Sequence, residues 1–319
     1  MYSIYGLNVA SDLPLAGIPA GRAPYPDVVF AMERSYRLAV PAPASDETCW
    51  YESDWIDEAT GGPGLTIYRS DAGAFRILYS DGVEFLIDGE GRRIVGCAPS
   101  EANLADVACY VTGPVLGFVL RLRGVIALHA SAIEIGRKAV LLVGDARSGK
   151  STTAAVLATM GYKVITEDVA ALSVKDGKLN VLTGCSEVAL RPDAVASVFG
   201  STDALPRFSD TWDKRRLDLL EIGAFASEPV LLGRIYMLTN TESVPDGPCI
   251  AAMSPRDAMV ELLANVYANR LCHDELRLRE LDTLQYVVSS VPVKVAATGA
   301  QPHLIPRFCE VLLDDLRYS

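Results

Sequence analysis

AVLLVGDARSGKSTTAAVLATMGYKVITED, residues 139–168, decides how the rest of the chain is read. It opens on a continuous apolar run, Ala139 to Val143, of the kind carried by a strand buried on both faces. Gly144 to Ser151 follows and matches G-x-x-x-x-G-K-[ST]. KSTTAAVLATM (150–160) then reads as a helix ending at Gly161, and KVITED (163–168) as a second strand. Strand, loop, helix and strand within about 30 residues make a βαβ unit, which predicts an α/β core with these two strands as parallel neighbours.

The loop has the composition a phosphate site needs. Its glycines let the chain curl so that successive N–H groups face one anion, and the following helix adds its positive end. Gly144, Asp145, Ala146, Arg147, Ser148, Gly149, Lys150, Ser151 and Thr152 are therefore the expected nucleotide-binding residues. Lys150 would put a point charge on phosphate oxygens, and the Ser151 hydroxyl would ligate Mg²⁺. Such an ion also wants a carboxylate nearby, and Glu167 and Asp168 end the next strand 16 and 17 residues after Ser151. Parallel strands open on the same edge, so both acids should face the loop. One could bind metal while the other takes a proton from an attacking hydroxyl, and spacing alone leaves their assignment open.

Working outward, VIALHASAIEIG (125–136) alternates like a strand, and Leu104, Val107, Val111, Val115 and Val119 recur at helical spacing over about 101–122, a helix expected to close the module before it. Before residue 98 the pattern has period two and is cut by turns. GLTIYRSD (64–71), AFRILYSDG (74–82) and VEFLIDGEG (83–91) read as β-hairpins turning at Ser80-Asp81-Gly82 and Asp88-Gly89. A β-rich module over 1–100 and a catalytic domain over 101–319 is the division expected. Beyond 178, short strands alternate with turns up to 250, and MSPRDAMVELLANVYANRL (253–271) is a helix with Ser254 as N-cap and Pro255 first in the helix.

Composition narrows the function. The 319 residues are 50% hydrophobic and 22% charged, which excludes a disordered or fibrous chain. The net charge of −11 argues against nucleic acid and anionic membrane as partners but leaves a small phosphorylated ligand open. Seven cysteines without a C-x-x-C pair read as a reducing compartment. The start has no signal-peptide pattern, and the longest apolar run, Tyr110 to Leu120, stops at Arg121 and Arg123. A cytoplasmic protein outside the membrane is expected.

His129-Ala-Ser-Ala-Ile-Glu-Ile, AVLLVGDARSGKST and Gly161-Tyr-Lys-Val-Ile-Thr-Glu-Asp together resemble the core of HPr kinase/phosphorylase and its relatives. Weaker similarity extends to YSIYGLNVASDLPL, ALRPDAV (189–195), DKRRLDL (213–219), GRIYML (233–238) and SPRDAMVELL (254–263). The resemblance implies a P-loop kinase core of the type shared with phosphoenolpyruvate carboxykinase, ATP and Mg²⁺ as cofactors, and a serine kinase activity. It implies that Glu167 stands at the family's base, Asp168 at the second acid, and His129 at an active-site histidine held close to that base. Arg147 replaces a usual loop glycine, and the family's E-I-R-G-type signature is absent from TGCSEVALRPDAV (183–195), with Glu187 a possible metal carboxylate beside Ser151 and Asp168. Because that signature goes with dephosphorylation, a kinase without reverse activity is expected. Lys214, Arg215 and Arg216, with Arg191, are the basic residues suited to clamp triphosphate or an acidic substrate tail.

Relatives without the signature include kinases that phosphorylate the C-terminal serine of lasso peptide precursors, and this is the leading substrate expectation. A different protein serine, or a small hydroxylated metabolite, is the alternative acceptor. A non-catalytic nucleotide-dependent peptide-binding module is the alternative from another class, favoured by two departures from the family, Glu167 where it has an aspartate and Arg147 where it has a glycine. Relatives also form hexamers, so a homo-oligomer is possible.

Overall fold

The computed structural model describes residues 1–33, 46–239, 247–268, 274–298 and 302–317. The chain forms two compact units, one over Met1–Gly124 and one beginning at Val125.

The first unit is an eight-stranded sheet of β1 Tyr2–Ile4, β2 Leu7–Ser11, β3 Val28–Glu33, β4 Glu47–Glu52, β5 Leu65–Ser70, β6 Phe75–Tyr79, β7 Glu84–Ile87 and β8 Arg93–Cys97. Their order is β1-β2-β3-β8-β7-β6-β5-β4. β4 to β8 run as successive antiparallel hairpins, while β3 joins β2 and β8 in parallel. Both expected turns form. Gly82 supplies the left-handed residue of the first, and in the second that role falls to Gly91 instead of Gly89. Asp88 gathers the amides of Glu90, Arg92 and Arg93 at 3.0, 2.9 and 2.7 Å, which fixes that turn.

A helical stretch completes the unit: α1 Leu104–Tyr110, a π-helical turn Val111–Val115 containing Pro114, and α2 Leu116–Leu122. Asn103 caps it by accepting from the Ala105 amide at 2.9 Å, whereas Ser100 bonds to Glu101. Phe118 meets the Phe75 ring edge-on at 5.0 Å and Tyr110 stacks on Tyr79 at 4.1 Å. These contacts make 104–122 the closing helix of the first unit, as expected, and place the boundary at 124 and not near 100. Among the described residues, Leu104–Leu122 is the one helix long and apolar enough to cross a membrane, a length no unbroken apolar run predicted. Here Val107, Val111, Val115, Leu116, Phe118 and Val119 are buried.

The second unit contains β9 Ala127–Ile135, β10 Lys138–Val143, α3 Lys150–Thr159, β11 Lys163–Thr166, β12 Val169–Lys175, β13 Lys178–Val181, β14 Glu187–Leu190, α4 Pro192–Phe199, β15 Arg215–Asp218, β16 Val230–Thr239, β17 Cys249–Ala252, α5 Pro255–Ala264, α6 Asp274–Ser290, β18 Val293–Ala297 and α7 Ile305–Arg317. The main sheet runs β10-β9-β12-β13-β16-β18-β17, with β11 beside β9, and β14 pairs with β15 apart from it.

The strand, loop, helix and strand of residues 139–166 form where expected, but β10 and β11 are not adjacent. β9 lies between them, antiparallel to both. Gly136 and Arg137, both at positive φ, make the tight turn that folds β10 back onto β9, and β10 takes its parallel neighbour from β16. β10 and β11 still point the same way, so their carboxyl ends share an edge. Val140 and Leu142 face a core with α3, α4 and α7, while Ala139, Leu141 and Val143 face one with α5 and α6. Burial on both sides is why Ala139–Val143 is apolar without alternation.

α4 lies inside the region read as strands and turns. Pro192 starts it and Gly200, at φ 85°, ends it. α5 is capped as expected, the Ser254 hydroxyl accepting from the Asp257 amide at 3.1 Å, but it ends at Asn265. The last residues of the helix expected to 271 lie outside those described.

Candidate active site

Residues 144–151 curl between β10 and α3 through two left-handed positions, Arg147 at φ 69° and Gly149 at φ 96°. Gly149 holds a φ that residues with a Cβ rarely adopt, and a Cβ there would also sit 3.0 Å from Ile305 Cδ1. Gly144 is closed in further, with Leu238 O 2.6 Å from the place a Cβ would take. Arg147 occupies a conformation that glycine adopts freely and that a residue with a side chain holds at a cost. The Ser148 side chain is buried and its hydroxyl has no hydrogen-bond partner.

Lys150 is folded onto this loop, donating to the carbonyls of Gly144 at 2.6 Å and Asp145 at 2.8 Å. Burial lowers its pKa, against the pull of Asp168, Glu167 and Asp145. A phosphate offers the ammonium stronger acceptors than two neutral carbonyls.

Glu167 and Asp168 stand on the bend between β11 and β12 and are both partly buried. The bend is closed by Val169 N–H donating to Glu167 O at 2.8 Å and by the Thr166 hydroxyl donating to Val169 O at 2.7 Å. Asp168 sits at φ 68°, a left-handed position a non-glycine residue holds at a cost. This reversal sends the two carboxylates to different partners. Glu167 Oε1 accepts from the Ser151 hydroxyl at 2.5 Å, whereas Asp168 Oδ1 lies 3.1 Å from His129 Nδ1. Asp168 Oδ2 accepts from the Tyr267 hydroxyl at 3.2 Å.

The charges follow that split. Desolvation, reinforced by the neighbouring Asp168, pushes the Glu167 carboxyl up to about 7. For Asp168 desolvation is outweighed by the hydrogen bond and charge of His129, by Lys214 and by Tyr267, which hold it below the usual range. His129 thus bonds Asp168, the second acid, and reaches Glu167 by charge alone.

No protein-family model matches the chain, and neither does any curated protein. Among solved structures it is similar to the Hpr(Ser) kinase/phosphatase from Coxiella burnetii, at 12% identity over 60% of this chain and 91% of that one, with a TM-score of 0.36. A likeness that weak carries no functional argument. The weight falls on the residues themselves.

The other expected site residues divide. The Lys214 charge acts on both Glu167 and Asp168, and its ammonium lies 6.0 Å from the Trp212 ring centroid. Arg215 is no clamp: its side chain is buried, donating to Thr202 O at 3.1 Å and pairing with Asp203 at 3.3 Å and Asp213 at 3.4 Å. Arg216 faces Glu187 across the β14–β15 pair at 3.4 Å. Arg191 pairs with Asp193 on the surface. Glu187 is buried, its pKa raised by burial, and is not gathered with the other acids. Among the described residues no three His, Cys, Asp or Glu side chains cluster as a metal site.

The donor set nevertheless suits one small, hard cation. The Ser151 hydroxyl and the Glu167 carboxylate already meet, and Mg²⁺ is ordinarily held by one or two such protein oxygens together with substrate phosphates. Tyr267 is the polar group that sequence reasoning missed. It lies in the span read as a plain helix, and only its place in the fold brings it to Asp168.

Proposed function

We propose that the chain is an ATP- and Mg²⁺-dependent kinase that transfers the γ-phosphoryl group to a serine hydroxyl of a peptide. The observation that carries this reading is the parting of two adjacent acids. One is bonded to the hydroxyl of the G-x-x-x-x-G-K-S loop and the other to a histidine, which supports a metal-side role for the first and an acceptor-side role for the second.

Each group then has a task. The loop amides and Lys150 bind the β- and γ-phosphates, with Lys150 leaving the Gly144 and Asp145 carbonyls to do so. Ser151 and Glu167 would hold the ion, which when bound neutralises charge on the phosphate oxygens. Asp168, kept ionised by His129, accepts the proton of the attacking hydroxyl as it moves in line toward the γ-phosphorus, while the bond from that phosphorus to the β,γ-bridging oxygen breaks and ADP leaves. Lys214 adds a positive charge beside both acids.

The acceptor we favour is the C-terminal serine of a lasso peptide precursor, on the sequence resemblance and on the lack of the dephosphorylation signature in 183–195. Cytoplasmic residence and a peptide partner belong to the same reading. Mass spectrometry of a serine-ended precursor after incubation with the protein, ATP and Mg²⁺ tests it. A phosphoserine at the terminus supports the assignment, and an unmodified peptide excludes that acceptor. Phosphate on a small hydroxylated metabolite would keep the kinase but change its substrate class.

A further inference from the structure

We infer that Tyr267 is a positioning residue for the transfer, locking the Asp168 carboxylate in the orientation that meets the acceptor hydroxyl. This rests on the reading of Asp168 as the base.

Asp168 is fixed at three points. Its carbonyl accepts from the Ala130 amide at 3.2 Å, its Oδ1 meets His129 Nδ1 at 3.1 Å, and its Oδ2 accepts from the Tyr267 hydroxyl at 3.2 Å. A left-handed aspartate persists only where its surroundings over-determine it, and the phenol supplies the third restraint. Without it the terminal torsion of an aspartate is broad, so the carboxylate would turn about Cβ–Cγ and both oxygens, Oδ1 on His129 included, would shift together.

The phenol is itself built into place. Tyr267 N–H donates to Ala127 O at 2.8 Å, His129 N–H donates to Asn265 O at 2.9 Å, and Leu128 bridges Val266 between them. The segment after α5 is thereby stitched antiparallel to the part of β9 that carries His129. The two rings lie 6.1 Å apart on either side of the carboxylate. Immediately afterwards Ala268 takes φ 55°, a left-handed position with no glycine to ease it. Both partners of the Tyr267–Asp168 bond thus lie at or beside a strained residue, as in sites where geometry is held at a cost. Each Asp168 oxygen keeps a second lone pair, so two bonds orient the carboxylate and leave it able to accept a proton.

The test uses the full chain and Tyr267→Phe, which removes only the hydroxyl. The expected result is a kcat about tenfold lower, with the KM for ATP unchanged. A second readout does not depend on activity. The chain has three histidines, so the ¹⁵N imidazole spectrum can be assigned to His129 by its loss in His129→Ala. At fixed pH, Tyr267→Phe should move the His129 Nδ1 resonance away from its Nδ1–H tautomer value. An unmoved resonance, an unchanged kcat, or a kcat loss that comes only with a raised KM for ATP and a lower melting temperature overturns the inference. If the wild-type chain phosphorylates no acceptor, the proposed function fails, and the resonance still decides whether Tyr267 holds the pair.

Discussion

The bend at Glu167–Asp168 and the β14–β15 strand pair both bring acids and bases together in the second unit, and they treat charge in opposite ways. In the strand pair Glu187 faces Arg216, and Arg215 is wrapped by Thr202, Asp203 and Asp213 from the segment that precedes β15, so the groups answer one another on and beside a regular ladder. At the bend two carboxylates sit side by side on a left-handed turn, and the nearby lysine is turned onto main-chain carbonyls. Charges that cancel in regular backbone hold structure. Like charges gathered on strained backbone beside an anion loop are arranged for something that is not protein.

That contrast orders the expected effects of substitution. Asp168→Asn should have the largest, a fall in kcat of about 10²–10⁴-fold with ATP binding retained, measured by steady-state transfer and by calorimetry with nucleotide. Lys150→Ala should come next, about 10²–10³-fold in kcat together with weaker nucleotide binding. In the β14–β15 pair the sign of the readout changes. Arg215→Ala should cost about 1–3 kcal/mol of stability in denaturant titrations while leaving the KM for ATP alone. A rise in KM with unchanged stability would instead return Arg215 to the site.

Glu167 makes a smaller, pH-dependent prediction. Its carboxyl is raised from 4.5 to about 7 in the folded chain, so between these values the folded state binds the extra proton and stability falls as pH rises. Asp168, held low, acts with the opposite sign and loses its contribution only as pH drops below the ordinary aspartate range. Glu167→Gln in ion-free buffer should therefore flatten the decline from pH 5 to 8, by an amount on the order of 1 kcal/mol, measured by melting curves. Arg191→Ala, removing an exposed pair with Asp193, should change stability by less than about 0.5 kcal/mol.

What could be read in the sequence was local. The apolar run 139–143, the loop and α3 declare themselves because each follows from neighbours in the chain. The meeting of Ser151 with Glu167 followed from strand direction, which survives the insertion of β9. The insertion itself escapes a reading of 125–136 and 139–143 as separate strands, although Gly136-Arg137 between them is a two-residue hairpin turn. α4 had its signals, Pro192 and Gly200, inside a segment already read as strands. Arg215 could not be told from Lys214 or Arg216 by composition, since its burial depends on Thr202 and Asp203 a dozen residues earlier. Tyr267 was least legible. It reaches Asp168 across 99 residues, through a bridge to β9 that no periodicity announces.

The division of labour between the two acids is tested most directly by titrating Mg²⁺ in transfer assays of Glu167→Gln and Asp168→Asn side by side. The expected result is that Glu167→Gln needs more Mg²⁺ and regains much of its rate at saturation, whereas Asp168→Asn stays slow at every concentration. Recovery of Asp168→Asn by Mg²⁺, with Glu167→Gln slow throughout, would reverse the two roles and contradict the account.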